Sequence, residues 1–197
     1  EDRLLIAEQR GLVRSFENGA LTDFLDIRNQ VTFAGERGLL SIAVHPDYPA
    51  DRRLFAWYYG TDSRTHLVEY DISADLNSAS SPRTVLSVAQ PATNHNGGHI
   101  SFGVDGYLYL SLGDGGGGND VFQNARDLST LLGKIIRLNP DGSVHWSNTR
   151  AHLRQVASRW PSDGDQVLLR EVLNEMTTLP RSNHEEVGHH ASWKGGT

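Results

Sequence analysis

The chain has no cysteine among its 197 residues. That absence excludes disulfides, thiolate zinc sites and a cysteine nucleophile, and leaves the redox compartment undecided. Positive charge is also scarce, with 18 Lys and Arg against 24 Asp and Glu for a formal charge of -6. Nucleic acid and anionic membrane surfaces select the opposite balance, so neither is an expected partner. No apolar run approaches the length of a membrane span. The chain opens on Glu1-Asp2-Arg3 and passes straight into a strand pattern, without a targeting peptide. That start fits either a cytoplasmic protein or a chain that begins after its leader.

What the sequence does have is short alternating segments separated by Gly, Pro, Asn and Asp, up to about residue 142. Strands are expected over 3–8, 12–16 and 23–27, with Asn18-Gly19 as a hairpin turn. A second group covers 38–44, 54–59, 67–72 and 84–89. Within it Val68, Tyr70 and Ile72 face one way while Glu69 and Asp71 face water. A third group holds 100–102, 107–112 and 133–138. Groups of three or four antiparallel strands at this spacing read as propeller blades, between two and three of them. A β-sandwich also offers short strands at regular spacing. Three blades leave unpaired edges, whereas a closed propeller has at least four, so the pattern reads as the front of a larger ring.

Beyond residue 142 the composition changes. Residues 144–160 and 165–179 read as helices, the second with Asp163 or Asp165 as cap and Pro180 as stop. Trp160, Met176 and the leucines there read as a weak helical core, and residues 181–197 as a loose polar tail. The expected organisation is therefore an all-β, partial propeller over 1–142 and a non-propeller tail over 143–197.

Chemistry concentrates in residues 94–114. Ile100-Ser101-Phe102, the turn at Asp105-Gly106 and the alternating Tyr107–Leu112 make a β-hairpin, with Leu108, Leu110 and Leu112 on one face. An antiparallel hairpin returns the chain to the edge it left. His95, before the first strand, and Asp114, after the second, therefore share a rim, and an imidazole beside a carboxylate is acid–base equipment. A loop hydrogen-bonder is the bland reading of His95, and ordinary turn chemistry that of Asp114. Gly97-Gly98 lets a ligand or backbone approach closely. Glu36 holds in its own unit the rim position that His95 holds in the next, so Glu36, Arg37, His95 and Asp114 are expected at one mouth.

Other motifs reduce to simpler readings. Residues 113–118 match a dinucleotide fingerprint only trivially, because the glycines are nearly consecutive and a polar loop follows instead of a crossover helix. Glycines also occupy the ligand positions of an EF-hand. A flexible, ligand-covering loop is the better reading. His45-Pro46-Asp47 is a structural turn at the opposite end of its hairpin. In 184–190 the zincin pattern fails, since Gly188 stands where the second histidine belongs.

Residues 35–48 (GERGLLSIAVHPDY), 94–118 and 124–138 (NARDLSTLLGKIIRL), in that order, resemble the soluble glucose/sorbosone dehydrogenase family. These are pyrroloquinoline quinone (PQQ) dependent aldose dehydrogenases, with hedgehog-interacting-protein-like relatives, and the likeness covers about residues 1–142. It implies a six-bladed propeller with PQQ over the central mouth, supported by calcium. It also implies a periplasmic or secreted location, a sugar substrate and an external electron acceptor. By this resemblance His95 is the catalytic base and Asp114 its supporting carboxylate. Glu36, Arg37, Asn94, Gly115 and Arg126 fall at cofactor-binding positions, and no metal ligand is assigned. The family's Arg-Asn motif, calcium-binding carbonyls and basic cofactor contacts should follow residue 142 and are not recognisable there. Glu36 and Arg126 each stand where glutamine is frequent. A non-catalytic binding propeller and an inactive truncated product are the alternatives to a dehydrogenase.

Overall fold

The computed structural model describes residues 3–139 and 141. The helices expected in 143–197, the loose tail and the histidines of 184–190 lie outside the described residues. The described chain folds into ten strands: β1 (Leu4–Glu8), β2 (Leu12–Glu17), β3 (Ala20–Asp26), β4 (Leu39–Val44), β5 (Arg53–Tyr59), β6 (Arg64–Ile72), β7 (Ala79–Ala89), β8 (Ile100–Phe102), β9 (Leu108–Ser111) and β10 (Ile135–Leu138). Each expected strand is present.

The strands form three antiparallel meanders, β1-β2-β3, β4-β5-β6-β7 and β8-β9-β10. The first strand of each sheet meets the first strand of the next, β1 against β4 and β4 against β8, and β3 meets β7 further out. This is the radial order of a partial propeller, with one blade of four described strands and two of three. Turn chemistry sets the register of the first sheet. Asn18 and Gly19 both take positive φ, 51° and 78°, as a two-residue hairpin loop requires.

Two cores flank the middle sheet, and β5 explains why. Leu54, Ala56 and Tyr58 point into the core shared with the first sheet, beside Val13, Phe24, Ile27, Val68 and Tyr70. Phe55 and Trp57 point the other way, onto Ile100, Leu108, Leu110 and Leu138 of the third sheet. A strand covered on both faces needs no polar alternation, hence the continuous run Leu54–Tyr59.

The same burial corrects one expectation. Glu69 does not face water: it is 8% exposed, takes a forked pair of bonds from Arg83 at 3.1 and 2.7 Å, and lies 3.6 Å from Arg53. The alternation at β6 was sound for Asp71, which is exposed. Strand β7 also starts earlier than its sequence signals. It runs through Ser81 (φ 55°) and Pro82 by way of a register shift, and it is the last strand of its sheet, where a missing N–H breaks no ladder.

Candidate functional site

The loops entering β4 and β8 and the loop joining β9 to β10 gather at one end of the sheets. Here the hairpin geometry brings His95 and Asp114 into contact, with Nδ1 of the imidazole 2.9 Å from Oδ1 of the carboxylate. The Asp114 carboxyl is held below the ordinary carboxylate range, first by the Gly116 N–H that donates to it at 3.1 Å and then by His95. An ionised Asp114 accepts, so Nδ1 carries a proton, and in the neutral ring Nε2 is then the nitrogen with the lone pair. The imidazole is 42% exposed and Asp114 19%, so the ring is reachable while its partner is largely covered.

Close backbone packing builds the loop. A Cβ on Gly113 would collide with the His95 carbonyl, and one on Gly97 would sit 2.6 Å from the Ser111 carbonyl. His95 itself takes a positive φ of 54°, an unusual conformation for a side chain of its size. Beneath it Asn96 is buried and donates to Gln90 Oε1 and to the Ala92 and Asn94 carbonyls, while Gln90 donates to Thr65 Oγ1. Sequence reading missed this network. Its only sequence signal is an asparagine directly before Gly97-Gly98.

Glu36 arrives from the neighbouring unit, and its Oε2 accepts the His95 backbone N–H at 2.6 Å. Asn94 Oδ1 accepts the Gly117 N–H at 3.4 Å, and the Gly115 N–H reaches the His95 carbonyl. Arg37 is turned away from this cluster: its Nε donates to the Ala34 carbonyl and its guanidinium lies 5.5 Å over the Tyr59 ring. Arg126 is exposed on the β9–β10 loop. Of the expected mouth and cofactor-binding residues, the structure thus brings together Glu36, Asn94, His95, Asp114 and Gly115, and leaves Arg37 and Arg126 outside that hydrogen-bonded group.

The β9–β10 loop, which reads from sequence as a flexible cover, is stapled at its base. Lys134 Nζ donates to the carbonyls of Asn124, Ala125 and Leu132, and Asn124 Nδ2 donates to the Asp114 carbonyl. Burial lowers the Lys134 ammonium's pKa. No crossover helix follows the glycines, so the dinucleotide match has no structural counterpart among the described residues.

Among the described residues no three His, Asp or Glu side chains converge to hold a metal ion. A cleft of about 600 Å³ lies at the other end of the sheets, lined by Asp47, Asp51, Arg53 and Asp71, and takes no part in this site. Next to it the expected turn at 45–47 is present, with the His45 carbonyl accepting from Tyr48 N–H.

The family model for glucose/sorbosone dehydrogenase matches residues 1–164, past the boundary at 142 that the motifs alone marked. A solved structure of an oxidoreductase described as a glucose dehydrogenase, from Thermus thermophilus, superposes with a TM-score of 0.64 at 34% identity, over 72% of this chain and 42% of that one. The PQQ-bound aldose sugar dehydrogenase of Streptomyces coelicolor gives 0.61 at 30%, over 71% and 42%. By sequence the chain is 34% identical to human Hedgehog-interacting protein, over 71% of this chain and 23% of that protein. It spans less than half the length of each of these relatives. With the motifs, the radial sheets and the family model in agreement, the chain belongs to the glucose/sorbosone dehydrogenase family.

Proposed function

We propose that this chain carries the proton-abstracting side of a PQQ-dependent aldose dehydrogenase acting at the sugar's anomeric hydroxyl. One observation carries the reading: the His95 imidazole is 42% exposed while its Nδ1 is committed to an ionised Asp114. In the reaction the anomeric O–H proton passes to His95 Nε2, the C1–H bond breaks, and the C1–O bond becomes the carbonyl of a lactone. When bound, PQQ supplies the hydride acceptor. Asp114 fixes the tautomer and stabilises the imidazolium as it forms. Of the two glycines that follow His95, Gly97 is packed against the Ser111–Gly113 backbone, while the space beside Gly98 is open.

The described residues fit this proton-handling role and not the whole cofactor. PQQ carries three carboxylates, which need cations. Arg37 is stacked on Tyr59, Lys134 is spent on three carbonyls, and Glu36 adds negative charge, while Arg126 is exposed on the β9–β10 loop. No step is therefore routed through the cofactor's anionic end. Calcium, a periplasmic or secreted location and an external electron acceptor follow from the family reading and belong to the same proposal.

The test is dye reduction by aldoses with added PQQ and calcium. His95→Ala is expected to lose about 10²–10⁴-fold in kcat/KM; a variant as active as the parent removes the assignment. The cation-poor mouth favours one second reading, a binding propeller without turnover. Capture of a partner without PQQ or turnover supports that second reading, and saturable PQQ binding in isothermal titration supports the dehydrogenase.

A further inference from the structure

Glu36 does something more specific than line a cofactor site. Its carboxylate closes a hydrogen bond onto the backbone N–H of His95, across the boundary between the second and third sheets. The turn that carries it is itself held from the first sheet. Gln9, in the β1–β2 turn, donates through Nε2 to the carbonyls of Gly35 and Arg37, at 2.9 and 3.0 Å, on either side of Glu36. The Gln9 carbonyl in turn accepts the Leu39 N–H at 2.8 Å, and Gly38 packs against it so closely that a Cβ there would collide. An Ala34–Arg37 bridge closes the turn. At the far end, the residue receiving the Glu36 bond has a positive φ, which an L side chain holds only where its surroundings require it.

From this chain of contacts we infer that Glu36 is a positioning residue: gripped by Gln9, it locks the His95 backbone in its left-handed conformation and thereby aims the imidazole at Asp114 and the mouth. The functional meaning rests on His95 being the base proposed above; the mechanical claim does not. A charge-assisted bond to a single amide is strong enough to hold such a conformation. The three sheets then act on one side chain: the first grips the turn, the second supplies the carboxylate, and the third presents the histidine.

The test is NMR on the chain itself, following hydrogen exchange of the His95 backbone amide and the ring Nδ1–H signal, with Trp57 and its β5 neighbours as the control for an intact fold. Glu36→Ala should speed exchange at His95 by roughly tenfold or more and broaden the ring signal. Glu36→Gln, which keeps an acceptor oxygen, should restore most of both. Glu36→Asp, one methylene shorter, should behave like the alanine variant and stands in for it if alanine unfolds the chain. Gln9→Ala should weaken the same two signals, and Gln9→Ala with Glu36→Ala should add little to Glu36→Ala alone. Unchanged His95 signals in both Glu36→Ala and Glu36→Asp overturn the inference, as does a failure of Gln to rescue. Loss of the signals in a protein that shows no sugar oxidation leaves Glu36 a positioning residue and overturns the dehydrogenase reading instead.

Discussion

Asp114 is held as a carboxylate by a main-chain amide as well as by a histidine, and this gives the site a pH signature. Its folded pKa lies below the ordinary value because the Gly116 N–H and His95 both favour the charged form. A depressed carboxyl contributes stability that is complete above its unfolded pKa, about 3.9, and is lost as pH falls through the folded value. The gap in urea midpoint between the wild type and Asp114→Asn is therefore expected to be constant near pH 6 and to shrink as pH is lowered toward 2. A gap that does not change over that range means the carboxylate gains nothing from its neighbours. The His95–Asp114 contact was legible because a hairpin fixes which residues share a rim, whatever the side chains do. The role of Glu36 was not, because its partner is a main-chain N–H 59 positions away. Residue types report which charges are available; they do not report which backbone amide a fold leaves pointing at them. Glu69 failed for a related reason. Alternation assumes one wet face, whereas β6 has a sheet on each side and its glutamate survives there through Arg83 and Arg53.

At the scale of elements, strand existence was read well and strand ends less so. The turns at Asn18-Gly19 and Asp105-Gly106 are dictated locally by residues that accept turn conformations, and both are where the dipeptides put them. Strand β7 begins five residues before its apolar pattern because edge pairing with β6 needs only backbone, and Ser80-Ser81-Pro82 looks like a breaker when that partner is unseen. The β9–β10 loop is the opposite case, an element without secondary structure that tertiary bonds hold. One ammonium makes a large share of these bonds, since Lys134 answers three carbonyls at once. Lys134→Met keeps the aliphatic stem and removes every donor. Two of those bonds are partly buried, and leaving their carbonyls unpaired costs about 1–2 kcal/mol, which corresponds to roughly tenfold more opening of the loop. Limited proteolysis should cut within 115–133 about tenfold faster in that variant, with the rate at the β-sheets unchanged. Equal cleavage rates show that the loop is held by something else.

At the scale of the whole described fold, the sheets stack so that the middle one is satisfied and, among the described residues, the outer ones are not. β5 is buried on both faces because each neighbour covers one of them. Among the described residues the first sheet has a neighbour on one face only. On the other, Leu4, Phe16 and Leu21 lie directly opposite one another across three strands, exposed by 57%, 43% and 50%. Scattered surface leucines are ordinary; three large apolar side chains in cross-strand register form a patch of the kind that soluble proteins cover. The third sheet is similarly open at Ile135, 76% exposed. The matched part makes up only 42% of each of the two solved relatives. The described fold thus carries a core-like surface facing solvent, and the free energy of covering it, roughly 25 cal/mol per Å² of apolar area, favours association. The chain should accordingly bind an apolar fluorescent dye and sediment as a concentration-dependent mixture. Phe16→Ser removes the centre of the patch, between Leu4 and Leu21, without touching either core. It is expected to reduce dye fluorescence by about half and shift sedimentation toward the monomer, with fold stability changed by no more than about 0.5 kcal/mol. A monomeric wild-type chain with no dye binding, or a serine variant that associates as before, places the driving surface elsewhere and leaves the open face of the first sheet inert.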